Sequence, residues 1–120
     1  MKKILIVDDE PNIVMTLEYT FKKSNYEVFI ARDGQEALDI LKTNFPEIII
    51  LDIMMPMVDG FATLEQIRKD ANLQHTKVMF LSAKNKESDI EKGLALGADA
   101  YMTKPFSIKK VVEKVEELMS

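Results

Sequence analysis

Five short apolar runs punctuate the chain: Ile-Leu-Ile-Val at 4–7, Val-Phe-Ile-Ala at 28–31, Ile-Ile-Ile-Leu at 48–51, Val-Met-Phe-Leu at 78–81 and the weaker Ala-Tyr-Met at 100–102. Most are apolar at consecutive positions, with little alternation. Strands covered on both faces read this way, as in a parallel sheet sandwiched between helices. The segments between them carry helical spacing instead. Ile13, Val14, Leu17 and Phe21 fall on one face, as do Ala37, Leu38 and Leu41, and Val111, Val112, Val115, Leu118 and Met119 form a third stripe.

Start and stop signals fit those helices. Pro11 suits a first helical turn, and Asp33 followed by Glu36 has the spacing of a capping box. Asp59, Asn85 and Ser107 are candidate N-caps, and Gly97 is placed to end the fourth helix in a left-handed conformation. Strand and helix alternating five times with short connections predicts an α/β doubly wound fold with a five-stranded parallel sheet. Right-handed crossovers favour the order 2-1-3-4-5, with its switch point between strands 1 and 3.

Composition narrows the function classes. The 120 residues fit a single domain spanning 1–120, large enough to bury about two thirds of its unfolded surface. There is no cysteine, so neither a disulfide frame nor thiolate chemistry is available. Only four apolar residues separate Lys2-Lys3 from the acids at 8–10, too few for a signal peptide, and no stretch approaches the roughly 18 of a membrane span. The expected location is the cytoplasm. Net charge is −4, with acids and bases mixed and no basic stripe, which argues against direct nucleic-acid binding.

The polar residues that end the strands carry the chemistry. Asp8, Asp9 and Glu10 follow the first run, Asp52 the third and Ser82 the fourth, while Lys104 follows the fifth. In a parallel sheet these ends share one edge, and ligands bind outside it at the switch point. Taken singly, Asp52 reads as a loop or capping residue, and Asp8-Asp9-Glu10 as acids complementing a helix N-terminus. Together Asp8, Asp9 and Asp52 converge as a carboxylate cluster beside the Ser82 hydroxyl and the Lys104 ammonium. Such a cluster calls for a hard divalent cation, Mg²⁺ (or Mn²⁺ in its place), and an Asp beside Mg²⁺ can act as a nucleophile toward phosphorus.

The motifs IVDDE, LDIMMPMVDG, FLSAK and YMTKPF, in this order, resemble the receiver domain of bacterial two-component response regulators, the CheY-like family. The resemblance runs over essentially the whole chain. It implies that Asp52 is the phosphoacceptor and that Mg²⁺ is held by Asp9 directly, by Asp8 through water, by Asp52 and by the Met54 backbone carbonyl. It further implies that Ser82 and Lys104 contact the phosphoryl group, that Tyr101 is an aromatic switch moving with Ser82, and that the Lys104–Pro105 bond is cis. The implied donor is a sensor histidine kinase or phosphotransfer protein, and the implied output is a change of protein contacts on the face of helix 4, strand 5 and helix 5. The domain is then a signalling switch, not an enzyme acting on separate substrates.

Two departures accompany the resemblance. The loop after Pro56 reads Met57-Val58-Asp59-Gly60, and Gly97-Ala98-Asp99-Ala100-Tyr101 precedes a fifth helix without arginine. The salt-bridged dimer of DNA-binding relatives is therefore not carried over, leaving a monomer or a phosphorylation-dependent dimer. Three other classes share features with the chain. A flavodoxin-like FMN binder would need a phosphate cradle where Asp8-Asp9-Glu10 stands. A haloacid-dehalogenase-type phosphatase would need a second Asp where Met54 stands. A pseudo-receiver would lack the acids. His75, the only histidine, falls in a polar loop on the opposite edge and reads as an ordinary exposed side chain. Met54, Met55 and Met57 read as core or loop packing.

Overall fold

A computed structural model describes residues 1–120. Its strands are β1 (Lys3–Val7), β2 (Glu27–Ala31), β3 (Ile48–Leu51), β4 (Lys77–Ser82) and β5 (Ala100–Thr103). The helices are α1 (Pro11–Lys23), α2 (Gly34–Ile40), α3 (Gly60–Lys69), α4 (Glu87–Ala95) and α5 (Ile108–Met119), with a 3₁₀ turn at Ala71–Leu73. All strands are parallel in the order β2-β1-β3-β4-β5. The doubly wound fold and its strand order are those expected from the apolar runs. Several strands extend one residue into polar flanks, because the ladder bonds backbone irrespective of side chain.

The two-sided burial of the apolar runs follows from the strand period of two. Leu5, Val7, Ile49, Leu51, Val78 and Phe80 point to one layer, which Ala37 and Leu41 close from the α2 segment and Phe61, Leu64 and Ile67 close from α3. Ile4, Ile6, Ile48, Ile50, Met79 and Leu81 point to the other, closed by Leu17 and Phe21 of α1 and Val111 and Val115 of α5.

Local chemistry fixes the helix starts. Pro11 opens α1. Asp33, Asp59 and Ser107 accept hydrogen bonds from the backbone N–H of Glu36, Ala62 and Lys110. Asn85 does not cap α4. The N-cap is Lys86, without a side-chain bond, and Glu87 and Asp89 in the first turn supply the negative charge that the helix dipole favours. Gly97 ends the α4 turn with φ +109°, a conformation strained for any other residue.

A cation then locks this end of the molecule. The Arg68 guanidinium donates to the carbonyls of Thr76 and Gly97 and pairs with Asp99 at 3.0 Å. Asp99 in turn accepts from the Val78 N–H. One side chain on α3 thereby ties the starts of β4 and β5 together, on the edge away from the acids. His75 is exposed on that same edge.

Candidate functional site

The backbone ladder continues past the strand ends and places the polar residues. Asp8 N–H donates to Ala31 O, Asp52 N–H to Val7 O, and Lys104 N–H to Ser82 O. Each loop thus starts from a registered position on the rigid sheet. The β3–α3 loop is closed by Gly60, whose N–H donates to Ile53 O at 3.0 Å. A Cβ on Gly60 would fall 2.3 Å from the Asp52 carbonyl oxygen, so only glycine lets α3 start this close to the strand end.

Asp8, Asp52 and Ser82 are buried at 2, 3 and 0% exposure. Asp8, Glu10 and Asp52 each bring a carboxylate oxygen to within 4.8 Å of the others. The Lys104 ammonium lies among them, 3.0 Å from Asp8 Oδ2, 2.7 Å from Glu10 Oε1 and 3.5 Å from Asp52 Oδ2. The other oxygen of each buried carboxylate faces the backbone: Asp8 Oδ1 accepts from Glu10 N–H, and Asp52 Oδ1 from Ile53 N–H. Ser82 Oγ accepts from Lys84 N–H at 3.3 Å. The Tyr101 ring lies against Phe80, with its hydroxyl donating to the Lys84 carbonyl at 2.7 Å. The Lys104–Pro105 peptide is cis.

Burial dominates the electrostatics. It raises the Asp52 carboxyl above the ordinary carboxylate range against the pull of Lys104 and the loop N–H groups. Asp8 is raised too, first by burial and further by the charge of Asp52, against the Glu10 N–H and Lys104. Burial draws the Lys104 ammonium down, but Glu10, Asp8 and Asp52 outweigh it and the group titrates above its usual value. Both buried carboxyls therefore bind a proton more tightly folded than unfolded. Their contribution to stability is complete below the unfolded carboxylate value of about 3.9 and is lost as pH rises through the raised folded values. Metal-free melts from about pH 8 to about pH 5 should show wild type gaining more stability on acidification than Asp52→Asn. Parallel curves would contradict the raised carboxyl.

Asp9 stands outside the carboxylate cluster and is exposed, whereas Glu10 stands within it. Glu10 reads in the sequence as a helix-complementing acid. Its reach across to Lys104, 94 residues away, has no local signature. The methionine run divides: Met55 is buried in the core, while Met54 and Met57 are 58 and 80% exposed, contrary to a packing role for all three.

A sequence profile described as the response regulator receiver domain matches residues 4–116. The chain belongs to this receiver family. The receiver domain is 44% identical over 118 residues to the alkaline phosphatase synthesis transcriptional regulatory protein PhoP of Bacillus subtilis, an alignment covering 98% of this chain and 48% of that protein. The receiver thus spans about half the length of that curated relative. Among solved structures it superimposes on the receiver domain of the Francisella response regulator 1452 with TM-score 0.90 and 36% identity, covering 98% of this chain and 96% of the other. It also superimposes on the chemotaxis response regulator CheY4 of Vibrio cholerae, with TM-score 0.92, 29% identity and 98% coverage of both chains. The acidic pocket of Asp8, Glu10 and Asp52 in this receiver fits a phosphoacceptor site. No helix of the receiver is long and apolar enough to cross a membrane.

Proposed function

We propose that Asp52 is the phosphoacceptor of a switch loaded from a phosphohistidine on a sensor kinase or phosphotransfer protein. The observation that carries this reading is a carboxylate held at a sheet edge with one oxygen tied to backbone N–H and the other turned toward an ammonium. Fixing the nucleophile at the end of a buried strand removes much of the orientational cost of the displacement. Asp52 Oδ2 bonds to phosphorus as the phosphorus–nitrogen bond to the donor imidazole breaks, and the imidazole leaves with the electron pair. Lys104 neutralises charge on the phosphoryl oxygens, and the Ser82 hydroxyl turns to donate to one of them. Hydrolysis by water later returns the carboxylate and inorganic phosphate. The domain thus acts only on its own phosphorylation state.

The donor set suits a hard cation, since three carboxylates already converge on the positive charge of Lys104. Asp8, Asp9, Asp52 and the Met54 carbonyl are the groups that would hold Mg²⁺ or Mn²⁺, with Glu10 added by its place in the cluster. A bound Mg²⁺ supplies further neutralisation of phosphate charge. Intact-mass measurement with acetyl phosphate and Mg²⁺ should show one added phosphoryl group. An unchanged mass would defeat the proposal.

Output is proposed to leave through α4, β5 and α5, with Ser82 and Tyr101 as the link. Ser82→Ala should leave Asp52 phosphorylatable and silence the distant face. Amide NMR with beryllofluoride, a phosphoryl mimic, checks this; equal shifts on that face in wild type and variant would exclude Ser82 as the coupler.

A further inference from the structure

The Tyr101 ring is seated between β4 and α4, and the residue facing it from α4 is Gly93. A Cβ built on Gly93 would lie 3.0 Å from Phe80 Cδ2, 3.1 Å from Phe80 Cε2 and 3.2 Å from Tyr101 Cδ2. Glycine within a helix is disfavoured relative to alanine, yet it occupies the last turn of α4 and is buried there. Phe80, the nearer of the two rings it meets, can shift only by displacing its own neighbours. It is 0% exposed and wedged between Phe61, at 5.6 Å between centroids, and Tyr101, at 5.7 Å. Phe61 is itself covered by the Lys92 ammonium of α4, 4.5 Å from its centroid. Tyr101 is only half-buried and held at its tip by the single bond to Lys84 O, so it is the ring that gives way.

We infer that Gly93 is a positioning residue for the switch: the space left by its missing side chain is the inward seat of Tyr101, and residue 93 sets how much of that seat is available. The inference rests on the proposed role of Tyr101 in output. The contacts that define the seat involve Gly93, Phe80 and Tyr101 alone. A methyl at position 93 obliges the Tyr101 ring to retreat by a few tenths of an ångström, against the short bond to Lys84. A longer side chain expels the ring and breaks that bond. Phosphoryl transfer to Asp52 uses neither group and continues. Filling the seat therefore uncouples output from loading without touching the acids.

Gly93→Ala and Gly93→Leu test this, because both residues are good helix formers and α4 is retained. Ring-labelled tyrosine NMR reads the seat directly, with Tyr101 assigned through Tyr101→Phe. In wild type, cross-relaxation between the Tyr101 and Phe80 rings is expected. It should weaken in Gly93→Ala and vanish in Gly93→Leu, and the beryllofluoride-induced shifts of the Tyr101 ring should follow the same order. Retention of wild-type cross-relaxation in a folded Gly93→Leu would overturn the inference. Intact-mass measurement with acetyl phosphate runs alongside. If no form, wild type included, takes a phosphoryl group, the functional reading fails while the ring measurement still decides the role of Gly93.

Discussion

Asp52→Asn is expected to abolish phosphoryl uptake completely while the fold persists. The substitution keeps side-chain shape and the acceptor to Ile53 N–H, so the β3–α3 loop has no reason to open. It replaces the nucleophilic oxygen pair with an amide, which cannot form the acyl phosphate. Stability moves the other way from activity. Asp52 and Asp8 are buried together, and an ionised Asp52 raises the cost of ionising Asp8. Removing one charge should raise the metal-free melting temperature and weaken the response of the melt to millimolar Mg²⁺. Intact mass spectrometry and thermal melts check the two arms, and full labelling of the Asn variant would remove Asp52 from its assigned role.

The second large effect is on stability alone. Lys104→Met leaves Asp8 and Asp52 buried without their ammonium, and breaking a buried ion pair from one side costs about 3–5 kcal/mol. That is a large share of a domain stability of about 5–15 kcal/mol. The third partner adds little, because Glu10 is 56% exposed and its charge is screened by water. The lysine titrates above its ordinary value, so its contribution is complete below about pH 10.4 and is lost as pH rises through the higher folded value. At about pH 8 the full loss should appear in metal-free denaturant melts. It should shrink on acidification, as the raised carboxyls of Asp8 and Asp52 take up protons and no longer need a counter-ion. It should also shrink in Mg²⁺, which substitutes one cation for another. A loss under about 1 kcal/mol would mean that water, not Lys104, compensates these acids.

What the sequence disclosed depended on the range of the interaction. The strands were legible because burial on both sheet faces demands apolar residues at consecutive positions, and the caps Asp33, Asp59 and Ser107 because a cap reaches only three residues ahead. Asn85 was misread since several polar residues precede α4 and the dipole can be met by Glu87 and Asp89 instead. The convergence of Asp8, Asp52 and Lys104 could be inferred once the strand order was known. The entry of Glu10 into that cluster could not, because it depends on where a flexible lysine side chain settles. Arg68 gave no signal either. Its partners Gly97 and Asp99 lie 29 and 31 residues away, and a lone arginine near a helix end normally reads as a favourable charge on the dipole.

The strand order also bears on how the chain assembles. Pairing β1 with β3 joins positions 44 apart, while Lys104 meets Glu10 across 94. Loop closure is dearer in entropy for the longer span, and synthesis delivers the N-terminal strands first. If the centre of the sheet zips first, Asp8 and Asp52 come face to face before the lysine that neutralises them has a place to dock. The central pairing is locally frustrated at that stage. The charges needed for chemistry oppose the nucleus on which the sheet is built, and until β5 arrives they are relieved only by protons or dissolved cations.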